Sequence, residues 1–352
     1  MATMKGLCML DIGSVGMVER DIPRAGPGEA IVQTTASLLC TSDVHTVAGL
    51  LGIPNGRLLG HESIGVVHEV GEGVTSAKVG DRVVVCAITP DGTCEACQRG
   101  FSSQCGGPLG GYRYTAQRDG NLSEYFYVND ANHNLAVIPD AVPDEKAVYC
   151  CDMMTTGFAG AENAKIPIGG SVVIFAQGAV GLCATIGARL QGAGLVITVD
   201  GVPQRRELSA HFGADITLDP ADGDILGTSA EATGGGADSA IEALGHQATF
   251  ENCIRVTKPG GTISNLGYHG ESGPTLSIPL DAFALGMGDK SINTALCPGG
   301  NERMGRLLRL LETGKVDPTP MTTHTMPIDQ AERAFDLMRT KEDGIIKPLI
   351  TY

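Results

Sequence analysis

The residues best suited to chemistry are three metal-ligand types in separate parts of the chain. Cys40 begins the run Cys-Thr-Ser-Asp-Val-His, His61 lies in Gly-His-Glu, and Asp152 begins Asp-Met-Met-Thr-Thr-Gly. Thiolate, imidazole and carboxylate all bind zinc, and a catalytic zinc site has about three protein ligands and one open position. Taken singly, a cysteine in a β-rich core or a His-Glu pair is usually structural. Together, Cys40, His61 and Asp152 predict a catalytic zinc site.

Two acidic residues near His61 extend this prediction. Glu62 follows His61 directly, and we expect it to act as a transient fourth ligand or as a base beside the metal. Asp43 can accept the second ring N–H of His61, because metal-bound imidazoles commonly donate that proton to a carboxylate.

A glycine-rich run in the second half of the chain predicts a dinucleotide site. Ala176-Gln177-Gly178-Ala179-Val180-Gly181 follows an apolar, β-branched stretch and opens a helical one, so it fits G-x-G-x-x-G with Ala in the first place. Such a turn lets the backbone approach a pyrophosphate at a helix N-terminus. By itself the motif is weak, and the alternative is an ordinary tight turn between a strand and a helix.

Asp200 strengthens the dinucleotide interpretation, because it ends the next predicted strand about 20 residues further on, where an acidic side chain binds the ribose hydroxyls. A carboxylate there repels a 2′-phosphate, so we predict NAD rather than NADP. The alternative is that Asp200 caps the following turn. Arg205 and Arg206 can reach ribose or adenine, and a basic pair also suits a phosphate.

The elements that must position these residues follow two patterns. Up to about residue 150, β-rich runs alternate with turns containing Gly and Pro, which predicts an antiparallel, barrel-like domain. Beyond Gly157, strands alternate with helices as in a parallel, doubly wound sheet, and one turn is predicted at Lys258–Gly261. A last strand at Ile345–Thr351 returns to the first domain. We therefore predict an α/β protein with a catalytic domain at 1–152 and 290–352 and a nucleotide-binding domain at 153–289.

Composition limits the classes of function. The 352 residues, 42% hydrophobic and 18% charged, suit about two folded domains. The net charge of −15 disfavours nucleic acid as a partner. No apolar run of about 20 residues predicts a membrane span, and no signal peptide is visible. Eleven cysteines, an odd number, indicate a reducing cytoplasm with thiols free or bound to metal.

With these residues in place, the sequence resembles the zinc-dependent medium-chain alcohol dehydrogenases over essentially its whole length. It is most similar to the microbial secondary-alcohol dehydrogenases. The resemblance implies a GroES-like catalytic domain that binds zinc and substrate, and a Rossmann domain that binds the cofactor. The matching stretches are Cys40–His45, Gly60–Glu62, Gly80–Val85, Ala87–Pro90, Asp152–Gly157, Leu296–Gly300 and Ile346–Pro348.

The third zinc ligand departs from the commonest family pattern. That pattern has a second cysteine, whereas Asp152 aligns here as in the secondary-alcohol branch. Cys151 is the rival ligand. If the segment is a strand, the two side chains point in opposite directions, so only one of them serves.

The resemblance also implies a mechanism. Hydride passes between an alcohol carbon and the nicotinamide of NAD(H), and zinc lowers the pKa of the alcohol. Ser42 matches the hydroxyl that relays the proton towards the nicotinamide ribose and His45. Thr156, at the domain crossover, is expected to contact the nicotinamide or pack against it. The remaining candidate cofactor-binding residues are Leu266 and Gly267.

The resemblance further suggests a second, structural zinc site. Cys94, Cys97 and Cys105 are similar to the family's structural-zinc lobe, and Asp91 stands in the place of its first cysteine. Zinc accepts a carboxylate oxygen. The secondary-alcohol branch lacks these cysteines, so the alternative is a remnant lobe with free thiols.

Four positions match the family's substrate pocket. Small Ala87 and apolar Leu296 favour secondary alcohols and ketones, while Tyr112 and Tyr268 line the pocket or pack within loops. The branch also implies a homotetramer. Two alternatives differ in class: a zinc-free NAD(P)H-dependent enone or quinone reductase, which would lack the ligand set, and a non-catalytic nucleotide-binding structural protein, which the presence of Ser42 and His45 disfavours.

Overall fold

A computed structural model describes residues 2–110 and 117–352. The chain forms two compact units. Unit 1 comprises Met1–Thr155 and Cys297–Tyr352, and unit 2 comprises Thr156–Leu296. The predicted assignment of catalysis to 1–152 and 290–352, and of nucleotide binding to 153–289, remains a prediction.

The first part of unit 1 is rich in strands, as its alternating β-branched runs predict. In chain order its strands are β1 (Thr3–Asp11), β2 (Ser14–Asp21), β3 (Ala30–Leu38), β4 (Glu62–Val70), β5 (Arg82–Val84), β6 (Tyr125–Val128) and β7 (Ala136–Val137). Its helices are short: α1 (Thr41–Val47), α2 (Glu95–Gln98), α3 (Ala131–Asn134) and α4 (Asp144–Ala147).

Helix α5 (Met153–Asn163) leads into unit 2, where strands and helices alternate. The strands are β8 (Ser171–Phe175), β9 (Leu195–Val199), β10 (Ile216–Leu218), β11 (Ala237–Glu242), β12 (Thr257–Asn265) and β13 (Ser291–Thr294). The helices between them are α6 (Ala179–Leu190), α7 (Pro203–His211), α8 (Ile225–Thr233) and α9 (Gln247–Val256).

The chain then returns to unit 1 and adds α10 (Asn301–Glu312), β14 (Thr322–Pro327), α11 (Ala331–Thr340) and β15 (Lys347–Thr351). Short 3-10 turns connect elements in both units, at Ser102–Gln104, Val148–Cys150, Ala284–Gly286, Thr319–Met321 and Ile328–Gln330.

The main sheet of unit 1 has the order β14-β15-β3-β4-β5-β7, with β6 also paired to β3. Its pairs are antiparallel except for β14 with β15. The predicted return of the last strand is therefore confirmed: Leu349 of β15 pairs with Leu38 of β3. Buried aliphatic side chains such as Val32, Val67 and Val83 form the core beneath this sheet.

In residues 156–296, all of which the structure describes, the sheet has the order β10-β9-β8-β11-β12-β13. Every neighbouring pair is parallel. The direction in which successive strands are added reverses between β8 and β11, and ligands of such sheets bind at the carboxyl ends of the strands at this switch point. This is the predicted doubly wound arrangement.

One local prediction is wrong. Residues 258–261, expected to form a turn, lie within β12. Ala237 pairs with Thr257 and Ser239 pairs with Thr262, so the intervening residues bulge from the ladder. Gly260 adopts a φ of +77° in this bulge, a conformation that glycine accepts without steric cost.

No helix of residues 2–110 and 117–352 combines the length and apolar character that a membrane span requires.

Candidate metal centre and dinucleotide site

Four side chains from three segments of unit 1 meet at one place. The ligand atoms of Cys40, His61, Glu62 and Asp152 all lie within 4.8 Å of one another. Cys40 directly precedes α1, Glu62 begins β4, and Asp152 lies in the turn before α5. Strand and helix ends therefore bring together residues that the sequence separates by more than a hundred positions.

The two ring nitrogens of His61 face different partners. Nε2 lies 3.3 Å from the Asp152 carboxylate and 3.2 Å from the Ser42 hydroxyl, so it points into the cluster. Nδ1 lies 3.6 Å from Asp43. Asp43 also accepts backbone N–H groups from Cys40 and Gly60, both at 3.0 Å. Asp43 is thus placed to fix the ring orientation of His61, as the sequence predicted.

Electrostatics in this cluster favours a bound cation. Burial acts to raise the pKa of Asp43, but His61 and the N–H groups of Cys40 and Gly60 outweigh it and hold the pKa below its ordinary value. Burial acts to lower the pKa of His61, yet Asp43 and Asp152 keep it well above its ordinary value. A metal must displace that proton, so its affinity will depend on pH.

Glu62 has a partner that the sequence analysis missed. Its carboxylate is fully buried, and Oε1 accepts a hydrogen bond from the buried Lys347 ammonium at 2.5 Å. Burial acts to lower the pKa of Lys347, but Cys40 and Glu62 raise it above its ordinary value. A lysine inside the apolar run Ile345–Ile350 was the available signal, because an unpaired charge is rarely buried.

The residues present fit a zinc ion. The cluster offers a thiol, an imidazole and carboxylates, which are the donor types of catalytic zinc sites. Within the described part of the chain, Glu62 Oε2 is buried with no hydrogen-bond partner. A buried carboxylate oxygen without a partner is costly, and a cation nearby would remove that cost.

Residues 151–152 do not form a strand. Cys151 has helical torsion angles, φ −56° and ψ −43°, at the end of the turn before α5. The Cys151 thiol is buried and approaches the Ser63 carbonyl at 3.5 Å, whereas Asp152 belongs to the cluster. A helical turn, rather than the alternation of a strand, separates the two side chains.

The other unit 1 candidates lie in or near the same segments. Ser42 and His45 both belong to α1. The backbone N–H of Ala87 donates to the Cys151 carbonyl at 2.8 Å, which holds Ala87 close in the chain fold to Asp152. Tyr112 lies outside the described residues.

A second cluster in unit 1 joins Asp91, Cys94, Cys97 and Cys105, whose ligand atoms also lie within 4.8 Å of one another. Backbone N–H groups point at the sulfurs: Gly106 donates to Cys94 at 3.2 Å and Asp91 to Cys105 at 3.2 Å. Burial acts to raise the pKa of Asp91, but N–H groups of Cys94 and Thr93 lower it to about 2. The N–H groups of Cys97 and Gly106 lower the pKa of Cys94. This donor set fits a closed, four-ligand zinc site.

In unit 2 the glycine-rich run forms the turn between β8 and α6. Ala176, in the first position of the motif, has a φ of +70°. A Cβ on Gly181 would lie 2.0 Å from the Ala176 carbonyl oxygen, whereas a Cβ on Gly178 would meet nothing within 4 Å. Gly181 therefore allows the helix to pack on the turn, and Gly178 leaves open space at the N-terminus of α6, where Ala179 and Val180 begin the helix.

Asp200 follows β9 and binds the same turn. One carboxylate oxygen accepts the Gln177 N–H at 2.6 Å, and the other accepts the Val202 N–H at 2.8 Å. The hydrogen bond from Val202 is the capping contact that the sequence analysis left as an alternative. Arg205 lies 3.7 Å from Asp200, and Arg206 pairs with Asp219 at 2.7 Å.

The remaining candidates belong to unit 2. Thr156 is buried near the start of α5, Leu266 and Gly267 directly follow β12, and Tyr268 and Leu296 are exposed. The roles assigned to these residues and to Ala87 stay predictions.

Comparison with known families identifies the class of protein. Residues 26–140 match the alcohol dehydrogenase GroES-like domain, and residues 179–313 match the zinc-binding dehydrogenase domain. With the mixed sheet of unit 1 and the doubly wound sheet of unit 2, these matches define a zinc-binding dehydrogenase.

Individual relatives narrow this class. The chain is 43% identical over 361 aligned residues to an alcohol dehydrogenase of Cupriavidus necator, with 98% of each chain covered. It is 44% identical over 350 residues to the NADP-dependent isopropanol dehydrogenase of Thermoanaerobacter brockii, with 99% of each covered. The solved zinc-dependent alcohol dehydrogenase 2 from Streptococcus pneumonia superimposes with a TM-score of 0.90 at 31% identity, covering 99% of this chain and 98% of that one. The chain belongs to the zinc-dependent, NAD(P)-binding alcohol dehydrogenase family, which confirms the predicted family and fold class.

Proposed function

We propose that this enzyme interconverts secondary alcohols and ketones by hydride transfer to and from NAD(H). The observation that carries the proposal is the convergence of Cys40, His61, Glu62 and Asp152 in unit 1 of a chain whose unit 2 has a dinucleotide-binding sheet. The printed names of the two relatives, an alcohol dehydrogenase and an isopropanol dehydrogenase, support the same reaction class.

Cys40, His61 and Asp152 would hold a zinc ion, with Glu62 as an additional carboxylate beside it. When bound, zinc supplies Lewis-acid chemistry that lowers the pKa of an alcohol hydroxyl. Ser42 can relay the released proton, accepting it while passing its own proton onward, because its hydroxyl lies 3.2 Å from His61 Nε2 at the edge of the ligand cluster. His45, one helical turn further along α1, can pass that proton to solvent.

NAD is the proposed cofactor rather than NADP. Asp200, which directly follows β9, would bring a carboxylate beside the ribose position, and a 2′-phosphate would be repelled there. Arg206, which could offset this repulsion, already pairs with Asp219 at 2.7 Å, while Arg205 lies 3.7 Å from Asp200 itself. The relative from Thermoanaerobacter brockii is named NADP-dependent, so the comparison of both cofactors is a direct test.

The Asp91, Cys94, Cys97 and Cys105 cluster would hold a second zinc ion with a structural role. Its four donors leave no open position for a substrate. We also propose a homotetramer in the cytoplasm. The exposed apolar side chains of Leu285 and Met287, which precede the edge strand β13, favour self-association. The eleven cysteines, all among the described residues, form no disulfide, which is compatible with a reducing compartment.

The deciding experiment combines metal analysis with a kinetic screen of the purified protein. We expect two zinc ions per chain. With NADH, kcat/KM should be higher for small methyl ketones than for aldehydes. With the same ketone, kcat/KM should be higher with NADH than with NADPH. Zinc-free protein that reduces enones or quinones would favour the reductase alternative. Zinc-loaded protein that is inert towards every alcohol and carbonyl compound would favour the structural alternative.

A further inference from the structure

A buried polar network joins two loops of unit 2, and none of the roles above uses it. The first loop, residues 243–246, follows β11, and the second, residues 266–272, follows β12. Glu242, the last residue of β11, is fully buried. His269 lies in the second loop and is partly buried.

The Glu242 carboxylate is held by donors from the first loop and from α9. Its oxygens accept the backbone N–H groups of Leu244 at 3.0 Å and Gly245 at 2.9 Å, and the hydroxyl of Thr249 at 2.6 Å. Oε2 lies 3.6 Å from His269 Nε2. Because a buried carboxylate is costly without such partners, the surrounding groups must keep this arrangement.

His269 carries the network into the second loop. Its Nε2 donates to Asn265 Oδ1 at 2.8 Å, since the amide oxygen can only accept. The amide nitrogen of Asn265 donates to the Gly267 carbonyl at 3.1 Å. The Ser272 hydroxyl donates back to the Gly245 carbonyl of the first loop at 3.2 Å. The ring of His269 also packs edge-on against Phe250, with 5.9 Å between centroids.

The two loops approach too closely for side chains between them. A Cβ on Gly245 would lie 2.2 Å from the Tyr268 carbonyl oxygen, and a Cβ on Gly267 would lie 2.1 Å from Glu242 Oε2. The loop bases are thus polar and held by hydrogen bonds, whereas Leu244 and Tyr268 at the tips expose an aliphatic and an aromatic side chain. Together the two loops form one rim.

The position of this rim identifies what it receives. Gly178 and Asp200, the candidate residues for the pyrophosphate and the adenosine ribose, follow β8 and β9, on one side of the switch point. The rim follows β11 and β12, on the other side. A doubly wound sheet binds the two mononucleotide halves across this point, which leaves the nicotinamide half for the rim.

We propose that Glu242 and His269 are positioning residues for the nicotinamide half of the cofactor. They hold residues 243–245 and 266–268 in the conformation that receives it, so that little ordering is needed on binding. The inference rests on the proposed dinucleotide-dependent function.

The test uses full-length holoenzyme and two probes, NADH and AMP, or NADPH and adenosine 2′,5′-bisphosphate if the wild type prefers NADP. His269→Ala should raise the Kd of the reduced cofactor about tenfold, as expected for the loss of one hydrogen bond to a buried group, while the Kd of the adenosine probe changes by less than about twofold. His269→Gln keeps an N–H donor for Asn265 and should recover part of the loss. The Tm of each variant is measured alongside.

Glu242→Gln should give the same selective loss, because its amide N–H groups would face the donors of Gly245 and His269. If that variant does not fold, the two His269 variants decide. His211→Ala is the matched control, since His211 is an exposed histidine at the end of α7 in the same unit, and it should leave both Kd values unchanged.

Unchanged cofactor affinity in folded His269→Ala would overturn the inference. Equal losses for the cofactor and the adenosine probe would also overturn it, because the network would then support the unit as a whole. A wild type that binds neither NADH nor NADPH would instead overturn the proposed function, and this inference with it.

Discussion

At the scale of single residues, Asp152 and Cys151 are neighbours in the chain but lie in different environments. Asp152 lies with the other potential ligands, while Cys151 is buried against the Ser63 carbonyl. Burial raises the pKa of Cys151 well above its ordinary value, so its metal-binding thiolate form is disfavoured.

Replacing Asp152 with Ala should therefore remove the metal of the catalytic cluster and abolish turnover, because one of three proposed ligands is lost. Zinc content should fall by one ion per chain, measured by elemental analysis of the dialysed protein. Cys151→Ala is the control and should retain zinc and activity. If Cys151→Ala loses the metal and Asp152→Ala keeps it, the ligand assignment is reversed.

Ala176 supports a second prediction at this scale. An alanine with a φ of +70° is strained by about 1 kcal/mol. Glycine avoids this strain, but its larger conformational entropy in the unfolded state cancels part of the gain in stability. Ala176→Gly should thus raise the free energy of unfolding by about 0.5 kcal/mol. Ala176→Val should lower it, because a β-branched side chain resists positive φ. Chemical denaturation measures both, and a stabilised valine variant would contradict the strain argument.

At the scale of elements, the two glycines of the turn between β8 and α6 have different roles: Gly181 is needed for folding, and Gly178 for cofactor binding. Gly178→Ala should leave Tm unchanged and weaken cofactor binding about tenfold, because its Cβ points into open space where the backbone would approach the pyrophosphate. Gly181→Ala should lower Tm, because its Cβ would collide with the Ala176 carbonyl. Calorimetry and cofactor titration compare the pair, and a loss of Tm in Gly178→Ala would refute this division.

The second residue of β11, Asp238, has a carboxylate that ties this strand to β8. Asp238 accepts the Ser171 N–H at 2.8 Å and hydroxyl at 2.9 Å, and it pairs with Lys258. Burial acts to raise its pKa, but Lys258 and the two Ser171 donors lower it below the ordinary value. A lowered folded-state pKa stabilises the fold above the unfolded pKa and loses that effect as pH falls through the folded value.

Asp238→Asn should accordingly lower the free energy of unfolding by about 1 kcal/mol at neutral pH. The difference from wild type should shrink as pH falls below the ordinary aspartate pKa and through the lowered folded-state value, where the wild-type carboxylate becomes protonated. Denaturation curves over this range test the trend. Asp222→Asn, at an exposed position, is the control and should show little difference at any pH. A constant Asp238→Asn deficit down to pH 2 would argue against the carboxylate's charge as the cause.

At the scale of the whole molecule, two proposed metal sites have separate consequences. Cys94→Ser should lower Tm by about 5 °C or more, because a structural zinc contributes directly to folding. The value of kcat at low temperature should change little, since this cluster has no open position. Calorimetry with and without chelator, alongside kinetics, separates the two effects. An unchanged Tm would mean that the lobe binds no metal.

The sequence determined the features that depend on near neighbours in the chain. Local backbone preferences predict the alternation of strands and helices and the glycine-rich turn, and they predict that β9 ends just before an acidic residue. The family and the fold class could also be predicted from the sequence, because its motifs are typical of the family. The turn expected at residues 258–261 was wrong as a break between elements, since these residues form a bulge inside β12, and residues 151–152 form a helical turn rather than a strand.

Which polar groups share a buried environment depends on the three-dimensional fold. Lys347 reaches Glu62 across 285 positions of sequence, and His269 meets Glu242 through loops that follow two different strands. Neither partner can be identified from spacing, because the cost of burying a charge depends on what the whole fold packs around it. The choice between Asp152 and its neighbour Cys151 differs: the resemblance already favoured Asp152, and the chain folding brings Asp152 into the metal cluster.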